Sequence, residues 1–439
     1  MNPMPAFTGS FELRSAAGAA QQAGPCRITL EGESLQLVPG AGSAVAADLG
    51  DIDEIAALDY GLEIKFYDGS ALRLFRFGSQ LQNLRHDLLE SWRRRLIRCL
   101  LVEDGDEIAR VEGVAALDSA DGSLCSPAEI RLFRRNLAVF PASGAPFQWR
   151  LAEIDALDFD EAAYALVLSS GRERLVLTKL ARKTREFAAQ LSEATGALAE
   201  RSARVIRAVF PFLSVEGFRQ VAALWKEGRA LPLGCFAAVH PSAAEAIEHN
   251  CVGGRARPCV DFLKERAAGV YAGYKFVPKE EAEEGDEAAA EEEGTGTGGG
   301  VAEAAERPLV DAGDESLLFW FFLPMRSAAS QSGCADLAAW ECTSLAGRAT
   351  YFFRLPSAGG TDEAVSRLSR AMAVLNFRRE PVYIADRSLE LEPRYRCYAI
   401  AKRKIPVLRE LRESFCGRAV HTSLGAWQKQ VESILRRSR

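Results

Sequence analysis

Glu54-Ile55-Ala56-Ala57-Leu58-Asp59-Tyr60 and Glu153-Ile154-Asp155-Ala156-Leu157-Asp158-Phe159 are two versions of one heptapeptide, 99 residues apart. After each comes an apolar alternation that reads as a strand, over 62–67 and 164–169. Each strand ends in a turn dipeptide, Asp68-Gly69 or Ser170-Gly171, and a second strand leaves it, over 71–77 and 174–180. By then the offset is 103, so Leu72 and Leu74 answer Leu175 and Leu177. Both copies then enter a helix. In the first, Leu81, Leu84, Leu88, Trp92 and Leu96 fall at spacings of three and four; in the second, Phe187, Leu191, Ala194 and Leu198 do the same. Upstream, each copy offers two more short strands, 27–30 with 34–38 and 129–133 with 137–140. Motif, turn, strand and helix recur in one order, which predicts an internal repeat: antiparallel strands closed by one amphipathic helix.

That order resembles the pleckstrin-homology (PH) superfamily, a bent antiparallel sheet capped at one open end by a C-terminal helix. The resemblance covers about residues 10–200, as PH-like units over 10–103 and 104–200. Trp92 stands where such a helix commonly carries a tryptophan, whereas the second copy has Thr195. The resemblance implies a binding role toward phosphoinositides, peptides or proteins, since few members of that superfamily are enzymes.

Residues 201–268 change character: apolar clusters broken at Pro211 and Gly228, with a helix start at Pro241-Ser242, predict a small helical module. A C-terminal α+β domain is expected over 269–439, with strands at 271–277, 317–323, 337–343 and 349–355 and an amphipathic helix over 362–375. An acidic Ala/Glu/Gly stretch, 278–314, interrupts it. Such a composition cannot bury enough apolar area to offset ordering entropy and is expected to be a disordered loop between two strands that could pair. The fold class expected is therefore α+β and multidomain.

The 439 residues carry 54 basic and 60 acidic side chains, but eleven of the acids lie between Glu280 and Glu306 with no Lys or Arg among them. Residues 400–439, by contrast, carry a net +7. No run approaches the roughly 18–20 apolar residues of a membrane-spanning helix. Ten scattered cysteines without a CxxC pair, and no basic-then-apolar leader over residues 1–15, lead us to expect reduced thiols in the cytoplasm. The Ala, Gly and Arg richness fits a bacterial coding bias.

No motif of high chemical specificity stands out. Cys235, His240, His249, Cys251 and Cys259 lie within 25 residues and include donors suited to zinc, but without the close paired spacing of structural sites, so no metal is expected. Glu63-Ile64-Lys65 with Asp51, Asp53 or Asp59 has the form of a divalent-ion nuclease motif, yet alternation on a half-buried strand gives the same pattern. Gly294 to Gly300 lacks the Lys-Ser/Thr and helix of a phosphate loop, and neither GxSxG nor HExxH occurs. Arg93, Arg94, Arg95 and Arg98 on the first helix, placed largely off its apolar stripe, and Lys429, Arg436 and Arg437 near the C-terminus, are the candidates for an anionic partner. No cofactor and no catalytic residue is assigned, and nucleic acid is not expected, because no RNP, helix-turn-helix or zinc-finger pattern accompanies the charges. The function expected is a non-catalytic interaction or scaffold protein that binds a protein or peptide through its PH-like units. The alternatives are peripheral binding to an anionic membrane, and a hydrolase seated in the C-terminal domain.

Overall fold

A computed structural model describes residues 6–102, 107–119, 122–254, 256–278, 309–310, 313, 315–328, 334–343, 348–356 and 360–437. Almost all of the acidic loop expected over 278–314 thus lies outside the described residues. The protein is α+β and multidomain. It divides into two compact units: Met1–Arg150, Ile154–Ser192 and Leu389–Ile405 form unit 1, and Leu151–Glu153, Glu193–Ser388 and Pro406–Arg439 form unit 2.

Unit 1 holds two seven-stranded antiparallel sheets. Strands β1 (Ala6–Arg14), β2 (Ala20–Glu31), β3 (Ser34–Pro39), β4 (Val45–Asp48), β5 (Ile52–Leu58), β6 (Gly61–Phe66) and β7 (Ala71–Phe75) pair in the order β4-β3-β2-β1-β7-β6-β5, and helix α1 (Leu81–Cys99) follows. Strands β8 (Ala109–Ser119), β9 (Gly122–Leu132), β10 (Asn136–Pro141), β11 (Phe147–Arg150), β12 (Ala156–Asp160), β13 (Ala165–Ser170) and β14 (Glu173–Thr178) pair in the order β11-β10-β9-β8-β14-β13-β12, and α2 (Thr184–Val209) follows.

The sequence pattern does not announce the central strands β1 and β8, nor the short strands β4 and β11. Strands β1 and β8 each carry a glycine, Gly9 or Gly113, where an alternating strand would carry a side chain. A Cβ at Gly9 would stand 2.6 Å from the ring of Phe77, and one at Gly113 would stand 2.5 Å from Leu180. The glycines leave room for Phe77 and Leu180, each two residues past the end of β7 or β14, and they interrupt the period-2 signal in doing so. Elsewhere the alternation is clear. Leu62 and Ile64 of β6 point into the core. Glu63 and Lys65 point outward and pair with Arg73 at 2.6 Å and Glu54 at 2.8 Å, so both groups of the nuclease-like triplet are committed to cross-strand ion pairs.

Helix α1 drives Leu84, Leu88, Trp92 and Leu96 into a core that also holds Phe11, Ile28, Leu37, Ile64 and Leu74. Trp92 Nε1 donates to the carbonyl of Ile52 at 3.2 Å, so its polar edge is satisfied while its ring fills the sheet. Phe187 and Leu191 of α2 are buried likewise.

In unit 2, α3 (Val215–Leu224), α4 (Leu233–Val239), α5 (Ala243–Cys251) and α6 (Arg257–Lys264) surround a sheet that runs in sequence order through β15 (Leu231–Pro232), β16 (Tyr271–Pro278), β17 (Glu315–Met325), β18 (Leu337–Cys342), β19 (Ala349–Arg354) and β20 (Phe415–Val420). Strands β16 and β17, which flank the acidic stretch, do pair, Tyr271 opposite Phe322. Among the described residues the remaining α-helices are α7 (Gly360–Val374), α8 (Glu380–Tyr383), α9 (Asp386–Leu391), α10 (Arg396–Lys404), α11 (Pro406–Ser414) and α12 (Leu424–Arg437), of which α10 belongs to unit 1. One core joins Val221, Trp225, Phe236, Ile247 and Leu263 of the helices to Tyr274, Phe319, Phe321 and Phe352 of the sheet and Trp427 of α12. Burial on both faces explains why 317–323 reads as an unbroken apolar run.

Trp92→Ala and Phe187→Ala are each expected to cost about 3–5 kcal/mol, the range for a large aromatic cavity in a core. Trp92→Phe keeps most of the packing and gives up the hydrogen bond to Ile52, so it should cost less. Urea unfolding measures all three, and an alanine variant within about 0.5 kcal/mol of wild type would show that its helix face is misassigned.

Candidate functional site

Two clusters of reactive side chains lie inside the units, one in each. In unit 2, neighbouring strands carry Glu341 on β18 and Thr350 on β19, and His421 follows β20. His421 Nε2 lies 3.4 Å from a Glu341 carboxylate oxygen and 3.2 Å from the Thr350 hydroxyl. Thr350 donates to that same carboxylate and accepts from Trp427 Nε1 at 2.9 Å. The other Glu341 oxygen is buried and finds no hydrogen-bond partner among the described residues. His421 also hydrogen-bonds the thiol of Cys259, the third residue of α6. Burial alone would lower the His421 pKa, but the Cys259 thiol and the Glu341 carboxylate outweigh it and push it up to about 10. An imidazole held by both a thiol and a carboxylate is the arrangement that activates a cysteine nucleophile. Access is narrow, since Cys259 is 6% exposed.

In unit 1 the cluster is built on α1 and α10. Arg95 faces inward and is 4% exposed, not off the apolar stripe as its neighbours Arg93 and Arg94 suggest. Its Nε and Nη2 donate to the two carboxylate oxygens of Asp48, at 2.9 and 2.8 Å, and Nη1 lies 2.5 Å from Glu33. Burial pulls the Asp48 carboxyl up, but the Arg95 fork and the Gly50 amide hold it below the ordinary range. Nη1 of Arg95 also lies 3.3 Å from Cys397 Sγ on α10. The Cys99 thiol at the end of α1 hydrogen-bonds the same sulfur, which lowers the Cys397 pKa and raises that of Cys99. Helix α10 is held in place by Arg396 and Arg403 on Asp51, at 2.5 and 2.6 Å, and by Lys404 on Asp53 at 3.0 Å. Gly50 lies beneath it, where a Cβ would come 2.5 Å from Ile400 and 3.2 Å from Cys99 Sγ.

The residues proposed for an anionic partner are distributed between the units. Arg93 pairs with Glu129 at 2.8 Å, Arg98 pairs with Glu33, and Arg94 is exposed on the same helix. Lys429, Arg436 and Arg437 are exposed on α12 of unit 2, Arg436 beside Glu432 at 3.5 Å. Cys235, His240, His249, Cys251 and Cys259 do not gather into a metal-holding group among the described residues. Cys251 is buried, with its thiol pKa raised by that burial, and Cys259 faces His421 instead. Neither Glu341 nor His421 nor the Cys99–Cys397 pair carries a spacing signal, because their partners are distant in the chain.

No family model matches the chain, and no curated protein matches it. Solved structures similar to part of it include N-terminally truncated linker-DH/PH domains of p115-RhoGEF, 11% identical over 27% of this chain and 45% of that one, with a TM-score of 0.16. This chain thus spans less than half of that structure, and so low a TM-score carries no argument. The PH-like reading stands on strand order alone.

The raised His421 pKa fixes the sign of a pH effect. Its stabilising contribution is complete below the ordinary value of 6.5 and is lost as pH rises through about 10. Unfolding free energy should therefore fall between pH 7 and pH 10 by a component that His421→Gln lacks. Urea unfolding across that range checks it, and ring proton signals of His421 titrating near 6.5 in the folded protein would contradict it.

Proposed function

We propose that this is a non-catalytic cytoplasmic bacterial interaction or scaffold protein, whose PH-like units 10–103 and 104–200 are copies of one module and bind an extended segment of a protein partner. The helical module 201–268 and the α+β domain 269–439 form its second part. The observation that carries the reading is the ends of the two sheets. Strands β5 and β12 are edge strands among the described residues. The hairpin that follows each presents apolar groups to solvent: Leu58 and Tyr60 in the first, the latter 86% exposed, and Tyr164 in the second. An exposed edge with apolar neighbours is what an added peptide strand needs, main-chain pairing for affinity and side-chain contacts for choice.

Selection from a displayed peptide library tests this. The Leu58→Asp, Tyr60→Asp double variant should weaken a selected peptide about tenfold or more, without a shift in melting temperature, since both side chains are solvent-facing. Unchanged affinity would overturn the reading. So would binding only to phosphatidylserine vesicles that vanishes near 0.5 M salt, which would indicate an electrostatic surface instead.

A second reading, a thiol-dependent hydrolase in unit 2, is favoured by the contact of His421 with both Cys259 and Glu341. It requires hydrolysis of a p-nitrophenyl ester that Cys259→Ala abolishes. A wild-type rate equal to that of the variant would exclude it.

A further inference from the structure

Ten cysteines occur in the chain, and their surroundings differ sharply. Cys26 is buried away from charge, and burial pushes its thiol up to about 11. Cys125, Cys235 and Cys334 are exposed. Cys397 alone among the described cysteines combines partial exposure, a guanidinium hydrogen bond and a second thiol on its sulfur. The hydrogen bond from Cys99 is the main cause of its lowered pKa. Arg95 and Arg98 add to it, while burial and Glu33 act the other way, and the result is about 6. Asp48, the other nearby acid, is neutralised by the fork from Arg95 and by Arg396 at 3.6 Å. The Arg95 guanidinium 3.3 Å from the Cys397 sulfur and the hydrogen bond from the Cys99 thiol both favour the thiolate at Cys397.

We propose that Cys397 is a peroxide-reactive thiol and Cys99 its resolving partner, so that hydrogen peroxide closes a disulfide between α1 and α10 within unit 1. In the first step the Cys397 thiolate attacks one peroxide oxygen. The O–O bond breaks, hydroxide leaves, and Cys397 becomes a sulfenic acid. In the second, the Cys99 sulfur attacks the Cys397 sulfur, and the sulfenic hydroxyl departs as water with the Cys99 proton. Two electrons pass from the two sulfurs to the peroxide, whose oxygens end as one water and one hydroxide, and the hydroxide takes from solvent the proton that Cys397 gave up on ionising.

The Cys99 thiol hydrogen-bonds the Cys397 sulfur, so the resolving group stands beside the sulfur it attacks in the second step. Thiolate character and access govern which cysteine a peroxide finds first, and an ordinary exposed cysteine is only a few per cent ionised near pH 7.

The test treats the full chain with hydrogen peroxide, caps remaining thiols with iodoacetamide, and maps the digest by mass spectrometry without reduction. The 99–397 cross-linked peptide pair should form first, and without peroxide iodoacetamide should alkylate Cys397 about tenfold faster than Cys125. Cys99→Ser should stop at the sulfenic acid, captured by dimedone at residue 397, and Cys397→Ser should leave Cys99 reduced. Circular dichroism confirms that both variants are folded. Absence of the 99–397 link, or modification of Cys397 no faster than that of Cys125, Cys235 and Cys334 in the wild-type protein, would overturn the proposal.

Discussion

A guanidinium taken out of water has to be answered by charge and hydrogen bonds wherever it ends up, and Arg95 sets that condition on unit 1. It lies on the same face of α1 as Leu88, Trp92 and Leu96, so packing the apolar stripe carries the charge inward with it. Asp48, at the end of β4, meets it with both carboxylate oxygens, and Glu33 meets it from the turn before β3. These partners fix the chain from the end of β4 into the start of β5, where Asp51 and Asp53 then hold α10. The thiol contact is a consequence of that chain of charges. Nη1 of Arg95, which also faces Glu33, donates to Cys397, and the end of α1 supplies Cys99.

Much of unit 1 was legible in the sequence because it depends on periodicity and turns. The heptapeptide pair, the strands after it and the helix stripes all come from side chains close in the chain. What escaped was chiefly of two kinds. Strands β1 and β8 were hidden by Gly9 and Gly113, whose missing side chains are a packing requirement of the sheet and not a turn signal. Arg95 was grouped by residue type with Arg93 and Arg94. Its position argued otherwise, seven residues after Leu88 and three after Trp92, two helical-face spacings that put it on the buried stripe. The docking of α10 had no local signal, since periodicity reports which face is buried and never which partner covers it.

In unit 2 the same limits apply, with one signal that could have been used. Strand β18 reads Leu-Ala-Ala-Trp-Glu-Cys, an acid set in a run whose neighbours are apolar on both faces. A strand covered on both sides gives Glu341 no route to water, so a buried carboxylate and a cationic or hydrogen-bonding partner follow from the pattern. The partner is His421, 80 residues further on, and only the pairing of β18, β19 and β20 brings the two together.

The two thiol clusters show how the neighbouring cation decides what a cysteine can do. Beside Cys259 the cation is an imidazolium, which can return its proton to a leaving group, and it is anchored by a carboxylate with little room for a large reactant. Beside Cys397 the cation is a guanidinium that never gives up a proton at any ordinary pH. Arg95 can therefore stabilise a thiolate but cannot act as general acid, and a second thiol occupies the place where a base would stand. The oxidation proposed for that pair needs no general acid beside the sulfur, only a favoured thiolate and a second thiol, which Arg95 and Cys99 supply.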